Sequence, residues 1–463
     1  MLIDEAGTPL AVTDGHYQVT VPQPGFAESD PRDWWHATVS AVRSLPAEER
    51  RNVQAVSFSG QMHGFVLTDQ GGEPVRPAML WSDTRSAAQL DRYGSLDPRT
   101  LLQLGNPIVT GMMGPGLLWL KEHEPASLTQ ARHALQPKDW LRLKFTGRAA
   151  AEHSDASATL LYDLEAADWH FGLCTELDLD RHFLPHLLKA GDQAGELLPA
   201  VADELNLPAG IPVIAGAADT AAAALGSGLL TPGDAQLTLG SGAQIIVIAE
   251  SPQLTAEPVI HQFRAASPGH WYRMAAMQNA GLTLDWVRRT LRLSWAELYG
   301  SLDEVEPDPE LLFLPYLSGE RTPLLDPTAR ASWQGLHLGH SPKHLAAAAL
   351  TGVALSIRAG LQALNESGSR PQVIRVAGGG SRSQAFVQLL ADVLQVPLAL
   401  SDTPAASALG AALLARGGQP VVKDAQVTHE PEPMREQLVD SIASFQRAVA
   451  TQIRQKNQPN IGG

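Results

Sequence analysis

Residues 211–228 read IPVIAGAADTAAAALGSG. An apolar run passes through small residues to a single carboxylate, Asp219, and then into a run of alanines. Val213 and Ile214 suit an extended strand and the alanines suit a helix, so the segment predicts strand, tight turn, helix. Asp is a common helix N-cap, and capping alone would account for Asp219. The functional alternative is a general base at the C-terminal end of a strand, where α/β sheets present their ligand-binding loops. Both readings stand at this point.

Outward from this segment the same plan repeats. Downstream, LLTPGDAQLTLGSGAQIIVIAES (229–251) opens on a Pro232-Gly233 turn and reads as two strands joined by Gly240, Ser241 and Gly242. Such a turn can aim consecutive N–H groups at phosphate oxygens, and it is also an ordinary hairpin turn. VIRVAGGGSRSQAFVQLLADVL (373–394) predicts a strand, three glycines (Gly378, Gly379, Gly380) and a helix with Ser381 or Ser383 near its start. Three missing side chains let the backbone approach a flat ligand or a phosphate, and the helix N-terminus adds partial positive charge. The order matches neither the G-x-G-x-x-G of a dinucleotide site nor a P-loop.

Upstream, SFSGQMHGFV (57–66) is a strand ending at Gly60, followed by Gln61, Met62 and His63. These polar side chains would face a crevice at a strand edge, or His63 would simply satisfy a neighbouring carbonyl. The stretch ESDPRDWWHATVSAVRSL predicts a helix capped by Asp30 with Pro31 in its first turn. Residues 1–22 predict a hairpin plus a third extended piece, HYQVTV, and between 105 and 225 helical stretches alternate with short apolar runs. The charged pairs in QPKDWLRLKFTG (136–147) and LPYLSGERTPLLDP (314–327), including Glu320 and Arg321, read as internal ion pairs or capped helix ends rather than chemistry. The sum is an α/β chain, with a domain boundary near Thr231 and a C-terminal helix before a Gly-Asn-Pro-rich end expected to fray.

Composition narrows the function. The 463 residues are about three times a ~150-residue domain, so two large domains are expected. A net charge of −15, spread along the chain, provides no basic surface for nucleic acid or an anionic membrane. A phosphate ligand stays compatible, because backbone N–H groups bind anions without lysine. The single cysteine, Cys174, rules out an intramolecular disulfide and a Cys-based zinc site, which fits a reducing cytoplasm. No stretch of 18 uninterrupted apolar residues occurs.

Taken in order, GQMHG, WSDTR, PKDWLRLKFTG, SDASATLLYD, AGAADTAAAALG, LGSGA, YLSGERTP and AGGGSRS resemble the FGGY family of carbohydrate kinases, over about residues 1 to 420. The resemblance implies two actin/hexokinase-like (ribonuclease H-like) domains, each a five-stranded mixed sheet flanked by helices, with a cleft that closes over sugar and ATP. It implies an N-terminal sugar-binding domain at 1–231, a nucleotide-binding domain at 232–440, and a helix end and tail at 441–463. It further implies Asp219 as catalytic base, with Gln61, Met62 and His63 against the sugar. Gly240, Ser241 and Gly242 would hold ATP phosphates, and Gly378, Gly379, Gly380 and Ser381 would approach the adenosine.

The implied reaction is ATP- and Mg²⁺-dependent phosphorylation of a ketopentose, with D-xylulose favoured by GQMHG; metal ligands are not identified, and a homodimer is left open. The sequence departs from the family pattern in one respect. It contains no D-x-G-T, the loop carried there by a strand preceding the one that MLID resembles, so roughly fifteen residues of the pattern are missing. The expectation is a natural start further upstream. The rival expectations are a kinase for ribulose, gluconate or glycerol, or a sugar-binding sensor without phosphoryl transfer.

Overall fold

A computed structural model of the chain describes residues 1–306, 308–417 and 426–456. The segment quoted first forms strand Pro212–Ile214, the short strand Ala217–Ala218 and helix Asp219–Gly226. Ala217–Ala218 lies parallel to Ser59–Gly60, with Ala217 opposite Ser59 and Ala218 opposite Gly60. Parallel pairing makes the next residues of both strands, Asp219 and Gln61, leave the sheet side by side. Gly216 permits this: its φ is +81°, and a Cβ there would stand 2.2 Å from the Phe58 carbonyl oxygen.

Helix Pro31–Arg43 starts as its sequence predicts, with Asp30 accepting from the Arg32 N–H at 2.9 Å and Trp34 turned into the core. The ladders of the N-terminal half differ from the single five-stranded sheet that the resemblance implies. They are two-stranded pairs, among them Leu2–Ile3 with Pro9–Ala11, Glu28–Ser29 with Ala78–Met79, and Val66–Thr68 with His133–Leu135. The extended piece expected at 16–21 is not a regular strand. Among the described residues only Glu28 bridges it, at Thr20, and a backbone without a partner ladder gains no sheet hydrogen bonds.

The C-terminal half carries one six-stranded mixed sheet, in the order His261–Arg264, Trp271–Met277, Ala243–Ala249, Ala235–Leu239, Ile374–Ala377, Leu398–Leu400. Its first four strands are antiparallel neighbours, and its last two run parallel to Ala235–Leu239. Helix Pro342–Glu366 is long and apolar enough to cross a bilayer, yet it is a core element. Leu350, Val353, Ala354, Ile357, Leu361 and Leu364 recur at helical spacing and are all buried. Each buried leucine, isoleucine or valine contributes about 1.5–3 kcal/mol relative to exposure.

The two halves meet along helices Asp219–Gly226 and Ala406–Ala415, which approach with backbone against backbone. A Cβ on Gly410 would lie 1.8 Å from the Ala222 oxygen, and one on Gly226 would lie 2.0 Å from the Ala406 oxygen. Below them, the hydroxyls of Ser59 and Ser407 hydrogen-bond across the same junction. Helix Glu436–Lys456 runs unbroken through residue 440 and buries Phe445 in the C-terminal core. The tail expected to fray, 457–463, lies outside the described residues.

Candidate active site

Asp219 stands in the first turn of its helix, and the N-cap position is Ala218, which makes no side-chain cap. One carboxylate oxygen, Oδ1, accepts from the Thr220 N–H at 2.6 Å and its hydroxyl at 3.2 Å. No described donor reaches Oδ2. Burial raises the pKa above that of an ordinary aspartate, against the pull of both Thr220 bonds. The capping explanation therefore fails, because the bonds engage only the next residue and leave one oxygen unspent.

The neighbouring loop holds Gln61, half-buried, and Met62, buried with its sulfur 3.5 Å from the Tyr272 hydroxyl. His63 has a left-handed backbone, φ 72°, unusual for a residue with a Cβ. Its Nδ1 is 2.9 Å from the Ala158 carbonyl oxygen, so Nδ1 carries the proton and Nε2 is left as an acceptor. Burial, with help from the Arg321 charge and against the Ala158 bond, lowers its pKa to about 4. The neutral imidazole is the form present at neutral pH. His261, on the first strand of the large sheet, shares Phe263 with His63, each ring centroid lying under 6 Å from that of Phe263. Its own pKa falls to about 3 for the same first reason, burial, and its Nδ1 is buried without a partner.

A buried ion network fixes these loops from behind. Lys138 Nζ lies 2.7 Å from Asp139, 2.8 Å from Asp155 and 3.6 Å from Glu152, and Arg142 lies 2.8 Å from Asp139, with every one of these side chains at most 1% exposed. Burial opposes the lysine charge, but the three carboxylates outweigh it and raise the Lys138 pKa. At Asp155 burial outweighs Lys138 and pushes the carboxyl up to about 8. Glu152 accepts from Ser154, whose hydroxyl in turn accepts the Ala218 N–H at 2.9 Å. Arg142 donates to the Ala215 carbonyl at 2.8 Å. The network thus braces the strand leading to Asp219 and the turn carrying Ala158. The sequence reading of PKDW as internal ion pairing fits this geometry, though the link to Asp219 was not visible in it.

The two glycine turns also come together. Ala235–Leu239 and Ile374–Ala377 are parallel, with Thr238 opposite Ala377, so Gly240 and Gly378 leave at the same edge. Gly378 has φ +95°, and a Cβ there would stand 2.4 Å from the Leu239 oxygen. Ser241 and Gly240 carbonyls accept from the Leu282 and Gly281 N–H groups at 2.9 and 3.1 Å. A Cβ on Gly379 would meet nothing within 4 Å. The Ser381 hydroxyl donates to the Gly378 carbonyl at 2.7 Å and so closes its own turn. Ser383, not Ser381, caps helix Gln384–Leu394.

Two other features lie apart from this set. A cavity of about 260 Å³, with Leu302, Phe313, Ala348, Leu389, Leu438 and Phe445 in its wall, contains none of the predicted site residues. Among the described residues, Asp308, His337 and His340 could gather around a cation. However, His340 Nδ1 accepts from the His337 N–H and His337 Nδ1 from the Gly339 N–H. That leaves the protons on Nε2, with His340 donating to Asp308 at 2.9 Å, the reverse of the pattern in metal-bound imidazoles.

A carboxylate with a free oxygen next to the Gln61–His63 loop, and two glycine turns paired at one sheet edge, suit the class of enzyme that brings a hydroxylated substrate to a phosphate donor. Comparison with known proteins makes the assignment specific. Residues 1–226 match the N-terminal domain of the FGGY family of carbohydrate kinases and residues 235–416 match its C-terminal domain, so the chain belongs to that family and is a carbohydrate kinase. It is 36% identical over 420 residues to a xylulose kinase of Escherichia coli strain K12, covering 90% of this chain and 87% of the relative. A crystal structure named as a "xyloylose kinase" from Brucella ovis superposes with a TM-score of 0.90 at 33% identity, covering 98% and 96% of the two chains. A gluconate kinase from Lactobacillus acidophilus shares the fold at a TM-score of 0.87 and 22% identity, covering 98% and 94%.

Proposed function

We propose that this kinase transfers the terminal phosphoryl group of ATP to D-xylulose, giving D-xylulose 5-phosphate, with Asp219 as general base. The observation that carries the reading is the free Oδ2 of Asp219, set beside Gln61 by the pairing of Ala218 with Gly60. A carboxyl whose pKa is raised by burial is a stronger proton acceptor, once ionised, than an exposed aspartate. His63 Nε2 would accept from a sugar hydroxyl, with Met62 and Gln61 packing the same face. The Gly240–Gly242 turn would hold ATP phosphates, and Gly378, Gly379 and Gly380 would leave room for the adenosine. Ser381 supports that turn rather than reaching the ligand. Mg²⁺ is held largely by substrate phosphates and water, so it would enter with ATP and neutralise phosphate charge, leaving the Asp219 Oδ2 for the proton. The relatives named as xylulose kinases support the choice of sugar, and a cytoplasmic location agrees with the single buried Cys174.

The test is ADP release from Mg·ATP across D-xylulose, ribulose, gluconate and glycerol, with Asp219→Asn alongside. D-Xylulose should give the highest kcat/KM, and the variant should lose about 10²-fold or more in kcat with sugar affinity within a few fold. A preference for another sugar would transfer the reading to that substrate. Sugar binding in calorimetry without ADP release would favour the sensor.

A further inference from the structure

Arg321, read in the sequence as part of an internal ion pair or a capped helix end, makes no ion pair with Glu320. Its neighbour Glu320 is 2% exposed and spends its carboxylate on backbone and amide donors: Gln278 N–H at 2.6 Å, Arg321 N–H at 2.8 Å and Asn279 Nδ2 at 3.2 Å. On the other side, Thr322 is pinned to strand Trp271–Met277, its N–H to the Ala276 carbonyl at 3.0 Å and its hydroxyl to the Ala276 N–H at 3.2 Å. The backbone of Arg321 is therefore held at both ends while its guanidinium donates no hydrogen bond and closes no ion pair to a described residue. It is accessible to solvent, yet crowded enough that burial lowers its pKa. Its central carbon lies 6.0 Å from the ring of Trp81, a tryptophan of the N-terminal half that is itself 47% exposed.

Strand Trp271–Met277 places this cation. Along it, Tyr272 meets Met62, Met274 is opposite His261, Ala276 binds Thr322, and Met277 lies 2.6 Å from where a Cβ of Gly242 would be. At about 3.3 Å of rise per residue, Thr322 sits roughly 7 Å beyond His261 on the same strand edge and about one residue short of the Gly240–Gly242 turn. The Arg321 charge is felt at both His63 and His261. The backbone that carries this five-donor planar cation thus lies, along the strand, between the level of His261 and that of the Gly240–Gly242 turn.

We propose that Arg321 is a catalytic residue that grips the phosphoryl group in transit between ATP and the sugar; this rests on the kinase reading above. In that step the sugar oxygen forms a bond to the terminal phosphorus and its proton passes to Asp219. The bond from that phosphorus to the bridging oxygen breaks, and ADP leaves with the electron pair. Negative charge spreads over the three remaining phosphoryl oxygens, and a guanidinium fork can bind two of them at once, which a lysine cannot.

The test uses the full chain with Mg·ATP and the sugar that the wild type phosphorylates best. Arg321→Ala should lower kcat about 10²-fold or more, with both KM values within a few fold, and should weaken inhibition by the sugar phosphate product about tenfold. Added guanidinium ion should restore part of the lost rate, which a purely structural defect would not allow. Arg321→Lys should retain more activity than Arg321→Ala and less than wild type. Unchanged kcat in Arg321→Ala, or a rise confined to the sugar KM, overturns the proposal. If Arg321→Ala melts early, Arg321→Lys and product inhibition decide the matter in the same way. A wild type that turns over no sugar refutes the kinase reading instead, so the two failures are distinct.

Discussion

Replacing Gly410 with alanine would put a methyl carbon 1.8 Å from the Ala222 carbonyl oxygen and 2.6 Å from its carbon. Contact becomes ordinary at 3.4 Å, so the shortfall is 1.6 Å, and the obstacle is backbone that no rotamer can clear. Helices Ala406–Ala415 and Asp219–Gly226 must separate by roughly that distance or bend. Overpacking of this kind costs about 1–3 kcal/mol, and a rigid backbone obstacle puts Gly410→Ala at or above the upper end. That corresponds to a fall in Tm of roughly 6 °C. Asp219 opens one of the two helices, and a misplacement of about 1 Å at a reacting group can cost 10²-fold in rate. Melting by circular dichroism and steady-state ADP release read the two effects separately. Gly94→Ala is the control, since a Cβ there meets nothing within 4 Å. A Gly410→Ala protein that melts within a degree of wild type and retains its kcat would refute the reasoning that this helix contact sets both the domain junction and the position of Asp219.

His63→Ala should raise the KM for sugar more than that for ATP, read from crossed substrate titrations; equal effects would remove His63 from the sugar face. The acid limb of kcat/KM should lie above the usual aspartate range, because activity needs Asp219 ionised and burial raises its pKa, and His63, already neutral through the neutral range, should add no limb of its own there. Lys138→Met leaves Asp155 and Glu152 buried without their cation, with Arg142 still on Asp139, and should cost about 3–5 kcal/mol, seen as loss of soluble folded protein or a large drop in denaturation midpoint. Asp155 has its pKa raised to about 8, so the folded chain holds a proton that the unfolded chain releases; its contribution is complete below about pH 4 and lost as pH rises through 8. Asp155→Asn should flatten that decline in denaturant titrations between pH 5 and 9, and an unchanged slope would place the titration elsewhere.

Much of the site was readable because it depends on local chemistry. The small residues before Asp219, the glycines at 240, 242 and 378 to 380, and the Asp30–Pro31 helix start each announce a turn or cap through properties of one or two residues. The ambiguity at Asp219 was different in kind. Cap and base look alike in one dimension, and only the observed bonds, confined to Thr220, remove the cap. At Arg321, adjacency to Glu320 suggested an ion pair or a capped end, whereas the fold turns that carboxylate toward Gln278, Asn279 and the Arg321 N–H. The extended segment at 16–21 was overcalled as a strand, because a strand needs a neighbour and its own residues cannot specify one.

By itself, then, the sequence determined an α/β chain in two halves and the order of the candidate carboxylate, imidazole and glycine turns. Those follow from side-chain shape, backbone freedom and hydrophobic period, which act over a few residues. Tertiary structure alone decided that Ala218 pairs with Gly60, that Lys138 braces the loops behind Asp219, and that the Arg321 guanidinium lies near the Trp81 ring with no hydrogen bond or ion pair to a described residue. These depend on contacts between residues as far apart as 62 and 272, whose meeting is set by the packing of whole sheets and helices rather than by any local preference.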